Sequence, residues 1–244
     1  MSFRAIRRAV ALVLALALCV VRYWLLRLRG PVTLERRALW TQQAARGILD
    51  GVGVRYNVDG TPPTHGLVVA NHLSYLDILI ISAAMPCFFV AKMEIGGWPF
   101  FGKAARTGGT IFLDRSSLAS AMSVADQMTE RLKLPIPVLL FPEGTSTDGQ
   151  MLRFHSRLID PATTAGSQIT PAAIRYVFED GTPERELCWY GDEQFVTHLM
   201  KVMCVAGFSA RVRFGKPRVY PDRRVAADAT YAEIATMRVQ IPLP

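Results

Sequence analysis

The chain has 244 residues, of which half are hydrophobic and only 20% are charged. That composition excludes a disordered chain, and the length suits one large α/β domain with an appendage. The net charge of +8 is concentrated in residues 1–50, which hold nine arginines against two carboxylates. A nucleic-acid-binding protein usually carries its basic surface on the folded domain, so this distribution argues against nucleic acid and favours membrane lipid as the partner.

The N-terminal segment contains 13 consecutive apolar residues at positions 9–21. A helix of that length reaches about 20 Å, which is short of a hydrocarbon core of about 30 Å. Extension to residue 28 gives enough length but takes in Arg22 and Arg27. We therefore expect a retained membrane anchor that either spans the membrane or lies in one leaflet. More arginines follow the run than precede it, which predicts that the rest of the chain is cytoplasmic.

A second helix is predicted after Pro31, which breaks the first one. The apolar residues that recur at helical spacing are Leu34, Ala38, Ala45 and Ile48. Gly51 and Gly53 are expected to end the helix. This helix would pack on the first helix, on the membrane surface or on the main domain. Residues 1–50 are thus predicted to form a two-helix anchor.

From residue 66 onward, short apolar runs alternate with segments of helical periodicity. The predicted strands are 67–70, 88–91, 110–113, 137–141, 169–177 and 210–214. The predicted helices are 75–85, 98–106, 118–132, 193–205 and 226–239. Continuous apolar strands separated by helices indicate a sheet that is covered on both faces. The predicted fold class is therefore α/β, with a mixed, largely parallel sheet flanked by helices.

The first segment with chemical potential is Asn-His-Leu-Ser-Tyr-Leu-Asp at residues 71–77, directly after a predicted strand. Histidine suits general-base catalysis near neutral pH, and a carboxylate that fixes its tautomer is the usual partner. On one helix His72 and Asp77 would point about 140° apart, so they meet only if His72 lies in the loop before the helix. Ser74 as N-cap, with Asp77 three residues later, fits a capping box and that placement. The segment predicts either a catalytic pair or an ordinary helix cap.

Two further segments end predicted strands. Gly-Thr-Ile-Phe-Leu-Asp-Arg at residues 109–115 places Arg115 where an arginine suits phosphate or carboxylate, although Asp114 and Arg115 could equally form a solvated strand end. Phe-Pro-Glu-Gly-Thr-Ser at residues 141–146 predicts a tight turn, whose backbone N–H groups could hold an anion or a hydroxyl-bearing substrate. Each signal is weak alone.

Together, in this order and at these distances, the three segments resemble motifs of the glycerolipid acyltransferase family, the 1-acylglycerol-3-phosphate acyltransferases. Thr-Pro-Ala-Ala-Ile at residues 170–174 is similar to the fourth motif of that family. Residues 91–95 and 98–102 are similar to the segment between its first two motifs. The resemblance covers about residues 65–180 in detail, and it identifies residues 51–244 as an acyltransferase domain.

The resemblance implies an O-acyltransferase of phospholipid synthesis that needs no metal or other cofactor. His72 would deprotonate the acceptor hydroxyl while Asp77 holds the imidazole. The hydroxyl would then attack the thioester of acyl-CoA or acyl-carrier protein directly. The residues implied to bind the acceptor are Lys92 and Arg115 at its phosphate, Glu143 and Gly144 at its glycerol end, and Thr145 beside them.

One departure from the family pattern bears on the acceptor. Many members have arginine after the threonine of the third motif, where this chain has Ser146, and the change removes one phosphate ligand. The expected acceptor is 1-acyl-sn-glycerol-3-phosphate, which gives phosphatidic acid. The alternatives are another lysophospholipid, lyso-ornithine lipid, or a membrane lipid-binding protein of this fold without turnover. The intact His72, Asp77, Arg115 and Glu143 favour an enzyme, located at the cell membrane with its catalytic domain on the cytoplasmic side.

Two other segments have an ordinary interpretation beside a functional one. Six cations lie between residues 211 and 224, and they fit either a solvated strand face or a landing site for phosphates. Asp192 and His198 could suggest a second acid–base pair. A turn before an apolar helix explains these two residues better.

Overall fold

The computed structural model describes residues 2–98, 101–113 and 118–242. The helices are α1 (Phe3–Leu28), α2 (Leu34–Val52), α3 (Leu76–Ala84), α4 (Met93–Gly96), α5 (Phe101–Gly108), α6 (Leu118–Leu132), α7 (Asp160–Thr164), α8 (Phe195–Cys204) and α9 (Arg223–Gln240). The strands are β1 (Arg55–Asp59), β2 (Leu67–Ala70), β3 (Phe88–Lys92), β4 (Ile111–Leu113), β5 (Val138–Leu140), β6 (Ile169–Phe178) and β7 (Phe208–Phe214).

The seven strands form one sheet in the order β1-β7-β6-β2-β5-β3-β4. Every neighbouring pair is parallel except β6 and β7, which are antiparallel. The carboxyl ends of β2, β3, β4 and β5 therefore lie at the same edge, where open α/β sheets gather their ligand-binding groups. The segments after β2 and β5 are immediate neighbours there, because Val69 pairs with Leu140.

The sheet is covered on both faces, which explains its continuous apolar strands. All four residues of β2 are fully buried, and they alternate between two core clusters. Val68 and Ala70 pack into the cluster that contains α3, whereas Leu67 and Val69 pack into the one that contains α6 and α9. The predicted fold class is confirmed, and the predicted strands match β2 to β7 within two residues at each end.

One described strand and two described α-helices are absent from the sequence predictions. Strand β1 carries mostly exposed side chains at the edge of the sheet, so it shows no apolar run. Helices α4 and α7 have only four and five residues, too few for a periodic pattern. Helix α2 ends at Gly53, which adopts the left-handed conformation with φ +70°, whereas Gly51 lies within the helix.

Helices α1 and α2 form an antiparallel hairpin on one side of the domain. Gly51 of α2 approaches the backbone of α1 so closely that an added Cβ would lie 3.2 Å from the Ala11 carbonyl oxygen. Further along, the Trp40 indole N–H donates to the Cys19 carbonyl oxygen at 3.0 Å. At the other end of α1, the buried Arg8 guanidinium donates to the Val202 and Met203 carbonyl oxygens at the C-terminus of α8. Helix α1 thus contacts α2 and α8 through residues between Arg8 and Cys19.

Candidate active site

His72 and Asp77 meet as the loop-then-helix placement predicts. His72 lies in the loop after β2, and Asp77 lies in the first turn of α3. The imidazole Nδ1 donates to Asp77 Oδ2 at 2.8 Å, with the carboxylate fully buried and the imidazole 17% exposed. Because Nδ1 holds the proton in this hydrogen bond, Nε2 is the nitrogen left to accept one from a substrate.

Asp77 serves the helix cap and the histidine at the same time. Its Oδ2 also accepts the backbone N–H groups of Leu73 at 2.6 Å and Ser74 at 3.0 Å. The Ser74 hydroxyl accepts the backbone N–H of Leu76 at 3.3 Å and not that of Asp77, so only the carboxylate half of the predicted capping box forms. The N-cap of α3 is Tyr75, one residue later than predicted. The two interpretations of this segment are therefore compatible, since the capping bonds hold the carboxylate against the imidazole.

Tyr176 completes the surroundings of Asp77. This tyrosine lies on β6, is 1% exposed, and donates its hydroxyl to Asp77 Oδ1. Burial, followed by the nearby Asp77 charge, raises the pKa of the tyrosine well above its usual value, so the phenol keeps its proton. Asp77 thereby has a donor on each oxygen, as a buried carboxylate requires. Tyr176 was not predicted as a site residue. Its only signal in the sequence is a side chain with a hydroxyl group in the otherwise mostly apolar strand β6.

The backbone of His72 is held on both sides by the segment after β5. Its N–H donates to Glu143 Oε1 at 2.9 Å, and its carbonyl oxygen accepts the Thr147 N–H at 3.0 Å. The ring stacks on Phe141 with centroids 4.1 Å apart and an interplanar angle of 14°. The imidazole position is therefore determined by two neighbouring loops of the sheet edge.

Glu143 is a positioning residue in this geometry. Its second oxygen accepts the Leu152 N–H at 2.8 Å, and the residue is 3% exposed. Burial raises the pKa of Glu143, an effect that the two N–H donors oppose. Both carboxylate oxygens are thus used to hold the loops together.

A cleft of about 380 Å³ opens beside His72. One wall is apolar and includes Ile78, Val90 and Trp98. The charged or titratable side chains among its described lining residues are His72, Lys92, Glu94 and Tyr190. The cleft thus combines a largely apolar lining with an imidazole whose Nε2 can accept a proton.

The predicted site residues divide into three groups. Lys92, Gly144 and Thr145 line the cleft together with His72, whereas Glu143 lies behind it. Arg115 and Asp114 fall outside the described residues, so the predicted phosphate contact of Arg115 stays a prediction. Ser146, the position of the departure from the family pattern, also lines the cleft.

The turn before α8 contributes an unpredicted part of the cleft. Trp189, Tyr190 and Gly191 line it, and the Trp189 backbone N–H is anchored to the Leu73 carbonyl oxygen at 2.8 Å. His198 is fully buried behind this turn, with Nε2 3.1 Å from the Leu187 carbonyl oxygen and Nδ1 3.1 Å from the Tyr75 hydroxyl. Burial lowers the pKa of His198, which fits a neutral packing histidine and not a second acid–base pair.

Half of the cations in the stretch at residues 211–224 form ion pairs within the protein, which favours the solvated-face interpretation, and the landing site for phosphates stays a prediction. Arg213 pairs with Asp59, Arg218 with Glu233 and Arg223 with Asp160, at 2.6, 2.7 and 3.2 Å. Three of its six cations are therefore neutralised within the protein itself.

Comparison with known proteins agrees with the geometry. A family model described as Acyltransferase matches residues 55–175. The lyso-ornithine lipid O-acyltransferase of Rhodobacter capsulatus is 38% identical over 193 residues, covering 75% of this chain and 70% of the relative. The 1-acyl-sn-glycerol-3-phosphate acyltransferase of Neisseria meningitidis is 31% identical over 210 residues, 81% of each chain. The crystal structure of the 1-acyl-sn-glycerophosphate acyltransferase PlsC from Thermotoga maritima matches the fold with a TM-score of 0.67 at 16% identity, covering 99% of this chain and 100% of that one.

Proposed function

The chain belongs to the acyltransferase family, and on that basis we propose that it transfers a fatty acyl group from an acyl thioester to the free hydroxyl of a membrane lysolipid. The observation that carries the proposal is the His72–Asp77 pair at the edge of a largely apolar cleft. The apolar wall suits acyl chains, and the imidazole suits activation of a hydroxyl.

The reaction follows from the free nitrogen of His72. Nε2 takes the proton from the acceptor hydroxyl as its oxygen attacks the thioester carbonyl carbon. The tetrahedral intermediate then collapses, the carbon–sulfur bond breaks, and the departing thiolate receives the proton from the imidazolium. Asp77 stabilises the transient imidazolium, because its charge lies 2.8 Å from Nδ1.

For the acceptor, we propose lyso-ornithine lipid first and 1-acyl-sn-glycerol-3-phosphate second. An ornithine headgroup offers both a carboxylate and an ammonium group, which match the exposed Lys92 and Glu94 of the cleft. A phosphomonoester carries a charge of about −1.5 to −2 near neutral pH, and Glu94 would repel it. Ser146 in place of arginine and the 38% identical relative support the first candidate. The 31% identical relative, which matches over 81% of both chains, supports the second.

The acceptor is tested with purified protein, labelled acyl-CoA or acyl-carrier protein, and both lysolipids, with products read by mass spectrometry. The matched variants Lys92→Gln and Glu94→Gln separate the two acceptors. With lyso-ornithine lipid we expect each variant to raise the acceptor KM while the donor KM stays unchanged. With the phosphate acceptor, only Lys92→Gln would raise the acceptor KM. Product from the phosphate acceptor alone would refute our first choice, and no product from any lysolipid would refute acyl transfer.

Helix α1 indicates that the protein associates with a membrane. It is the described helix that is long and apolar enough to cross one, with only 6% of its most apolar window buried. Its exposed large apolar side chains recur along one face and include Phe3, Val10, Val13, Trp24 and Leu28. A soluble monomer rarely leaves such a continuous apolar patch uncovered.

We propose that α1 lies in one leaflet on the cytoplasmic side. A spanning α1 would carry α2 across the membrane with it, because the two helices are packed along their length. Helix α2 holds five charged residues within 19, so it does not suit the hydrocarbon core. Cysteine-accessibility labelling in intact cells tests this arrangement: sites at both ends of α1 should be shielded from an impermeant reagent outside the cell. Labelling of one end would refute it.

A further inference from the structure

The α1–α2 hairpin contains a second cavity, of about 710 Å³, that shares no described lining residue with the catalytic cleft. Arg22 and Arg29 line it from α1, and Arg36 and Arg46 line it from α2. Asp50 is the one acidic residue among its described lining residues. Four guanidinium groups facing a single carboxylate make this groove a site for a group with more than one negative charge or several acceptor oxygens.

Most of these guanidinium groups have donors to spare. Arg36 gives one N–H to the Pro31 carbonyl oxygen at 2.8 Å, and Arg46 gives its Nε–H to the Ala83 carbonyl oxygen at 2.8 Å. Neither Arg22 nor Arg29 forms an ion pair with another described residue, and both are exposed. An arginine has five N–H donors in a fork that fits phosphate oxygens. The groove is therefore held in place by backbone contacts while its remaining donors are free for a ligand.

The surroundings of the groove determine which anion fits. Its lining also includes Leu25 and Leu39, which are 48% and 46% exposed, and the partly buried Trp40. The exposed Trp24 and Leu28 lie between Arg22 and Arg29 along α1. When those apolar side chains enter the acyl region of a leaflet, the arginines lie at the level of the phosphates. A soluble phosphate would contact only the arginines, whereas a phospholipid contacts both the arginines and the apolar side chains of the groove.

We propose that this groove binds one anionic phospholipid, with its phosphate held by arginines of both helices and the start of its acyl chains on Leu25, Leu39 and Trp40. Arg36 and Arg46 lie about 15 Å apart along α2, so the phosphate contacts some of the four arginines and the others face the remaining polar atoms of the headgroup. The inference does not depend on acyl transfer, because the groove and the catalytic cleft have separate linings. The bound lipid would hold the α1–α2 hairpin at the membrane surface in a defined orientation.

The test uses the full-length protein in a neutral detergent, with phosphatidylglycerol or phosphatidylcholine added and retained lipid counted by native mass spectrometry. We expect one phosphatidylglycerol per chain and little phosphatidylcholine. Arg22→Gln with Arg29→Gln should reduce retention by about tenfold or more, since each removes a charge-assisted hydrogen bond. Arg36→Gln, on the other helix of the hairpin, should also reduce retention of phosphatidylglycerol.

The matched control is Arg7→Gln with Arg27→Gln, which removes the same charge from exposed positions of α1 outside the groove. This control should retain lipid within about twofold of the unmodified chain, because it leaves the lining of the groove intact. A general attraction to anionic lipid would depend on charge and not on position, and would therefore weaken equally in both double variants. Equal losses in both double variants would overturn the proposal, as would equal retention of the two lipids. Displacement of the lipid by millimolar inorganic phosphate or coenzyme A would also overturn it, because the groove would then serve a soluble phosphate compound.

Discussion

Replacing Asp77 by asparagine separates the charge of this carboxylate from its geometry. Oδ2 accepts three hydrogen bonds, from the imidazole Nδ1–H and from the backbone N–H groups of Leu73 and Ser74. An asparagine must place its carbonyl oxygen there, because its NH₂ group would otherwise face those backbone donors. Its NH₂ then faces the Tyr176 hydroxyl, which can rotate and accept. The variant therefore keeps the imidazole in the same tautomer and loses only the negative charge.

The magnitude follows from the difference between charged and neutral acceptors. A hydrogen bond to a charged group contributes about 1.5–3 kcal/mol, against about 0.5–1.5 kcal/mol for a neutral pair. The imidazolium formed during the reaction therefore loses about 1–2 kcal/mol of stabilisation, which corresponds to a decrease in kcat of roughly 5- to 30-fold. Removal of the base itself, in His72→Ala, should lower kcat by about 10²- to 10⁴-fold.

Thiol release from the acyl donor, followed with a thiol reagent, measures both variants. Circular dichroism would verify that they fold, and Asp126→Asn on the exposed surface of α6 controls for the same chemical change elsewhere. If Asp77→Asn were as inactive as His72→Ala, the amide would have turned and the hydrogen-bond argument would be wrong. A loss below about twofold would mean that no imidazolium forms in the rate-limiting step.

Three further outcomes are expected. Tyr176→Phe leaves Asp77 Oδ1 buried without its donor, so urea denaturation should show a free energy of unfolding lower by about 1–3 kcal/mol; unchanged stability would mean that water replaces the hydroxyl. In the same variant kcat should fall while both KM values stay constant, since Tyr176 does not line the cleft. Burial lowers the pKa of His198 in the folded protein. Below the pKa of about 6.5 that histidine has in the unfolded chain, the unfolded chain therefore binds more protons than the folded protein. The free energy of unfolding then falls as the pH decreases. The decrease in Tm between pH 7 and pH 5 should therefore be smaller in His198→Gln, and an equal decrease would assign the acid sensitivity to other groups.

Local signals in the sequence were sufficient for strands β2 to β7, for most of the helices and for the His72–Asp77 pair. Strands such as β2 are buried on both faces and therefore read as unbroken apolar runs. The pair was predictable because a carboxylate in the first turn of a helix accepts backbone N–H groups of the preceding loop, and both residues lie within that short segment. Strand β1 was not predictable, because an exposed edge strand shows no such pattern.

Tertiary structure decided which residues hold the pair and what faces it. Tyr176 reaches Asp77 from 99 residues away, and Glu143 reaches the His72 backbone from 71 residues away. The arginine groove likewise depends on how α1 packs against α2. Residue type and spacing determine hydrogen-bond capacity and periodicity within one element. They do not determine which distant element supplies the partner, because that depends on the order and register of the strands and on the packing of helices that lie far apart along the chain.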